Sequence, residues 1–142
     1  MTTPDKWVWM PHPAHFICGA DCKFHLATYV GGFIVSTVGE YMPDSQVRKI
    51  QEDVSGPRPV RGTGDRAGKW ETIGHDRLYE TMVFKAQEAA ETDTCCLWTT
   101  VDGEDVDFEG YNEHGAAYRG HLAMCHKWAA KGEEATTDET GN

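Results

Sequence analysis

His12, His15, Cys18, Cys22 and His25 crowd one short stretch near the N-terminus. Neutral imidazole and thiolate are what zinc takes in a tetrahedral site, and Gly19-Ala20-Asp21 is a tight turn of the kind that lets two thiolates converge. The spacings HxxH, HxxC, CxxxC and CxxH are not those of a standard finger, and no CxxC or HxxxH partner follows at a suitable distance. His121 and Cys125 form a second pair, four residues apart in a helical pattern, which aims both side chains at one point. A helix laid over the start of the first hairpin would let them complete a structural zinc site with Cys22 and His25. The plainer reading of the pair is a hydrogen-bonded core histidine beside a small buried thiol. A Cys–His nucleophile pair is a third.

Tyr29, Ser36, Glu40 and Glu80 make a further candidate binding set, polar side chains on neighbouring strands. Carboxylates do general acid–base work where their surroundings split their pKa values. Strand polars that only hydrogen-bond one another show the same pattern. The carboxylates from Asp102 to Glu113 imitate an EF-hand beginning at Asp105, but Ala116 stands where the bidentate glutamate belongs. They read as a solvated acidic loop after an Asp102-Gly103 turn. Gly62, Gly64 and Gly68 lack the GK[ST] that closes a phosphate loop.

The element that must position these residues is a hairpin. Phe24–Val30 and Phe33–Glu40 are β-rich runs joined by Gly31-Gly32, and both central positions of a primed turn need positive φ. That turn sets Val30 opposite Phe33, Thr28 opposite Val35 and Leu26 opposite Thr37. One face then carries Phe24, Leu26, Thr28, Val30, Phe33, Val35 and Thr37. The other carries His25, Ala27, Tyr29, Ile34, Ser36, Val38 and Glu40. Leu78–Lys85 and Cys96–Val101 read as further strands, Lys6–Met10 as an edge strand, and Gln46–Val54 as a short helix. Residues 113–131 read as the long helix, capped by Asn112 and stopped by Gly132, with Tyr118, His121, Leu122, Cys125, Trp128 and Ala129 as its apolar stripe. The expected fold is α+β: a mainly antiparallel sheet of four to five strands around the Gly31-Gly32 hairpin, with the helix packed on the first face. Residues 1–132 form one domain carrying a mobile Gly/Pro/Arg loop over 55–69, and 133–142 a disordered acidic tail.

The chain of 142 residues carries a net charge of −10. Phosphate and anionic lipid would be repelled, which argues against nucleic-acid and membrane-surface binding and leaves protein partners or cations. No apolar run is long enough to span a bilayer, and the N-terminus lacks the pattern of a signal peptide. A reducing compartment is expected, where the five cysteines are thiols or ligands rather than disulfides.

The segments HFICGADCKFHLATYVGGFIVSTVGEY, RLYETMVFKA and VDFEGYNEHGAAYRGHLAMCHKWA resemble a group of small proteins of tailed bacteriophages and prophages with no established activity. The resemblance implies phage origin and action in the host bacterial cytoplasm or in the virion. It also implies that His15, Cys22, His25 and the Gly120–Cys125 piece recur, whereas Cys18 and Cys95-Cys96 are particular to this chain. The expected function is that of an accessory protein binding a host or phage protein, not an enzyme. A small His/Cys/Glu-site enzyme and a minor virion component are the alternatives.

Overall fold

The computed structural model describes residues 6–15, 21–42, 53, 60–61, 70–93 and 96–140, with backbone alone at 60, 61, 70 and 134–140. Among the described residues seven strands precede the helix of the C-terminal part: β1 (Val8–Trp9), β2 (Cys22–Tyr29), β3 (Phe33–Tyr41), β4 (Val60–Arg61), β5 (Trp70–Glu71), β6 (Tyr79–Glu88), β7 (Trp98–Tyr111) and α1 (His114–Thr140). They form one antiparallel sheet, in which β1, β2, β3, β6 and β7 lie side by side. The short β5 and β4 continue from the end of β3, where Tyr41 pairs with Glu71. The architecture is α+β, as the residue pattern predicts.

Gly31 and Gly32 take φ of 66° and 101°, and the turn sets the expected register: Leu26 opposite Thr37 and Thr28 opposite Val35. α1 packs on the expected face. Val30 and Val35 of the hairpin meet Val83 of β6 and Met124, Cys125 and Ala129 of α1, with Trp7 closing the edge. Each large apolar side chain buried there contributes about 1.5–3 kcal/mol. The stripe runs through Ala117, His121, Met124, Cys125 and Ala129, all buried, whereas Tyr118 is exposed.

Two expectations for the helix change. Gly132 does not stop it: α1 continues to Thr140, through most of the stretch expected to be a disordered tail. A Cβ on Gly132 would lie 2.2 Å from the carbonyl oxygen of Gly31, so this glycine serves close approach to the hairpin turn rather than termination. Asn112 lies just before the helix, and its Oδ1 accepts the Leu78 N–H at 3.4 Å.

The acidic segment is also corrected. No loop follows Asp102-Gly103; β7 runs unbroken from Trp98 to Tyr111, pairing with β6. Gly103 supplies a φ of 76°, and the register shifts twice, between Val83 and Phe84 and between Phe84 and Ala86. The extra β7 residues are absorbed as bulges, which bend and twist a strand without ending it. The far end of this hairpin reaches over the second face, where Trp98 stacks on Tyr29 at 3.8 Å. Ala27, Ile34, Ser36 and Val38 of that face are buried. The expected helix over 46–54 lies outside the described residues apart from Asp53. So does most of the 55–69 loop, whose described residues Val60 and Arg61 form β4 and pair with β5 just beyond it.

Candidate functional site

β3 carries a polar cluster on each face. On the helix side, Thr28, Thr37 and Thr81 come from three adjacent strands, all fully buried, with His121 seated over them. Thr28 Oγ1 lies 2.8 Å from His121 Nε2, Thr37 Oγ1 lies 2.7 Å from Nδ1, and Thr37 and Thr81 share a hydrogen bond of 2.6 Å. Burial pushes the His121 pKa down to about 4, so the ring is neutral at neutral pH. A neutral imidazole donates from one nitrogen and accepts at the other, a need that two threonine hydroxyls meet. The Trp9 ring lies beside it, tilted by 30° with ring centroids 5.6 Å apart. Cys125 is fully buried beside it. Burial raises its thiol to about 12, against the opposing pull of a hydrogen bond with Thr28. A nucleophilic pair needs a thiolate; this pair is a thiol beside a neutral imidazole.

On the opposite side, the segment from Met10 to His15 crosses the sheet. The Met10 N–H donates to the Ala27 carbonyl at 2.8 Å, and the Ala14 N–H donates to Ser36 Oγ at 2.9 Å. His15 then bridges two strands: Nδ1 to Ser36 Oγ at 2.8 Å, and Nε2 to Glu80 Oε1 at 3.1 Å. The Glu80 carboxylate also sits under the turn at Gly74, where a Cβ would overlap it. Serine, histidine and glutamate in one hydrogen-bonded row have the composition of an acyl-transfer triad. Ser36 is 0% exposed and already takes the Ala14 N–H, so no acyl carbon reaches its oxygen in this arrangement. The row fastens the N-terminal segment to the sheet.

The expected zinc ligands do not converge. Cys22 packs with Val38, Tyr41 and Ile73 in a separate cluster. Thr28, the β2 residue that touches His121, is six positions further along the strand, which is about 20 Å at roughly 3.3 Å per residue. His25 is exposed and pairs with Val38, on the face away from Thr28. His12 is exposed, His15 is engaged by Ser36 and Glu80, and Cys18 lies outside the described residues. Among the described residues no group of three or more histidine, cysteine, aspartate or glutamate side chains is placed to hold a metal ion.

The second candidate set divides as well. Ser36 and Glu80 come together through His15, whereas Tyr29 stacks on Trp98 and Glu40 accepts the Tyr79 hydroxyl at 2.9 Å. Sequence spacing gives no sign of His15 between Ser36 and Glu80, since the three stand far apart in the chain. The threonine row carries a usable signal: the Gly31-Gly32 register alone puts Thr28 and Thr37 on the face that meets His121.

β7 is open to solvent along most of its length. Asp102, Glu104, Asp105 and Glu109 are exposed along it, and so are Val101, Val106 and Phe108, at 48%, 38% and 41%. Asp107 alone turns to the helix, taking Lys127 Nζ at 2.7 Å and Trp128 Nε1 at 2.9 Å. Burial would raise its pKa, but those bonds, the Lys127 charge and the Phe108 N–H outweigh it and hold the group below 3.8. At the hairpin tip a concavity of about 420 Å³ is lined by Glu88, Glu91, Asp93, Cys96, Leu97 and Trp98, among others. Among the described residues no helix is long and apolar enough to cross a membrane. No protein-family model, curated protein or solved structure matches the chain.

Proposed function

We propose that this chain is a small phage-encoded accessory protein that works by binding a host or phage protein, in the host bacterial cytoplasm or in the virion. Phage origin rests on the resemblance of the hairpin, β6 and α1 segments. Binding rests on one observation: the buried histidines and Cys125 are occupied in holding elements together, while the exposed length of β7 sets apolar side chains among carboxylates. Exposed apolar groups rimmed by charge are characteristic of protein-binding surfaces. The row of Ser36, His15 and Glu80 is the observation that favours an enzyme, and the burial of Ser36 weighs against it.

The test is capture of partners from bacterial lysate by the tagged chain, followed by size-exclusion chromatography and mass spectrometry. One protein co-eluting at fixed stoichiometry supports the reading. Elution of the chain alone across lysates of infected and uninfected cells overturns it.

A further inference from the structure

We infer that the outer surface of β7 is a docking surface for a lysine- and arginine-rich protein segment, read through side chains and not by strand addition. The inference rests on the protein-binding reading above and names its surface and partner chemistry. Asp102, Glu104, Asp105 and Glu109 lie on an exposed strand, and no ion pair among the described residues neutralises them; the Lys127 ammonium is spent on Asp107. Asp105 stands opposite Phe84 and Glu109 opposite Thr81, while Asp102 and Glu104 fall where the register shifts between Phe84 and Ala86, so the carboxylates follow the length of the strand rather than repeating on one face. Val106 and Phe108 neighbour these carboxylates along the strand with 38% and 41% of their surface open; Phe108 lies on the Met82 side, opposite to Glu109, and stacks on His75 with ring centroids 4.7 Å apart. They offer contact to the alkyl stems of lysine and arginine, which cover apolar surface while their heads reach charge.

The backbone argues against adding a strand. The Ala86 N–H donates to Gly32 across the β3 side, and antiparallel alternation then turns Thr81 and Val83 toward Glu109 and Asp107. Phe108, between those two, therefore faces away from β6, and Asp107 Oδ1 already takes its N–H at 2.9 Å. With two register shifts and a row of charges besides, β7 has the devices by which sheets block edge pairing. A second copy of this chain is a poor occupant for the same reason, since carboxylate would face carboxylate.

The experiment titrates the whole protein with a lysine/arginine-rich peptide alternating basic and apolar residues, by calorimetry at low and at physiological salt. One variant carries D102N, E104Q, D105N and E109Q. A control of equal charge change carries E133Q, E134Q, D138N and E139Q on α1. The expected result is affinity about tenfold weaker for the β7 variant and little changed for the α1 control, with most salt dependence lost only in the former. Equal weakening in both overturns the inference, because it reports net charge alone. Absence of peptide binding overturns it too, as does a wild-type chain that dimerises through β7. A captured partner whose binding ignores the β7 variant would leave the protein-binding reading standing while removing this one.

Discussion

His121 is the residue whose chemistry is most constrained. Its ring is fully enclosed and its pKa lies near 4, below the ordinary 6.5. A histidine depressed in the folded state binds its proton more readily in the unfolded chain. Stability is therefore complete above pH 6.5 and is lost as pH falls toward 4. Between pH 7 and pH 4.5 this group alone should remove roughly 2–3 kcal/mol, at about 1.4 kcal/mol per pH unit. Urea unfolding at the two pH values should show a smaller loss in His121→Gln, whose amide keeps a donor and an acceptor but has no proton to gain. Equal losses in both proteins would place the pH dependence elsewhere. The pairing of His121 with threonines was within reach of the sequence, because the register of a two-glycine turn and the stripe of a helix each follow local rules. The partner of His15 was not. Only the crossing of the N-terminal segment over the sheet, which no local pattern encodes, puts it between Ser36 and Glu80.

At the scale of elements, the helix is closer to its sheet than periodicity implies. Gly120 faces Tyr111, where a Cβ would come within 2.1 Å of the hydroxyl, and Gly132 faces the Gly31 carbonyl. Alanine is a better helix former than glycine by about 1 kcal/mol, so helix propensity alone would have Gly132→Ala stabilise the protein. The opposing backbone atom reverses the sign, and a loss of roughly 1–3 kcal/mol is expected. Gly115→Ala supplies the contrast: its nearest obstacle is the flexible end of Arg119 at 3.2 Å, and its melting temperature should hold or rise. A Gly132→Ala protein as stable as its parent would remove the close-approach argument. The hairpin and the helix stripe were legible because glycine placement and apolar spacing are local. β7 was not: a glycine and a dense run of carboxylates read as turn and loop, and only pairing with β6 makes them a bulged strand.

At the scale of the whole molecule, a net charge of −10 on 142 residues is carried partly by the unpaired carboxylates of β7. Mutual repulsion of like charges opposes compaction, and salt screens it, with the Debye length falling from about 30 Å at 0.01 M to about 8 Å at 0.15 M. The melting temperature should rise by a few degrees over that range in sodium chloride. A fall, or no change, would mean that favourable ion pairs outweigh the repulsion.

The meeting of Tyr41 with Glu71 at one corner of the sheet has an engineering consequence. The chain leaves β3 and returns to that same strand end before β6 begins, so whatever lies between departs and arrives at neighbouring points. The entropy of closing such an excursion grows only logarithmically with its length, about 0.6 kcal/mol for each doubling. That corner is therefore the natural port for a grafted epitope or an inserted reporter domain, distant in sequence from both His121 and β7.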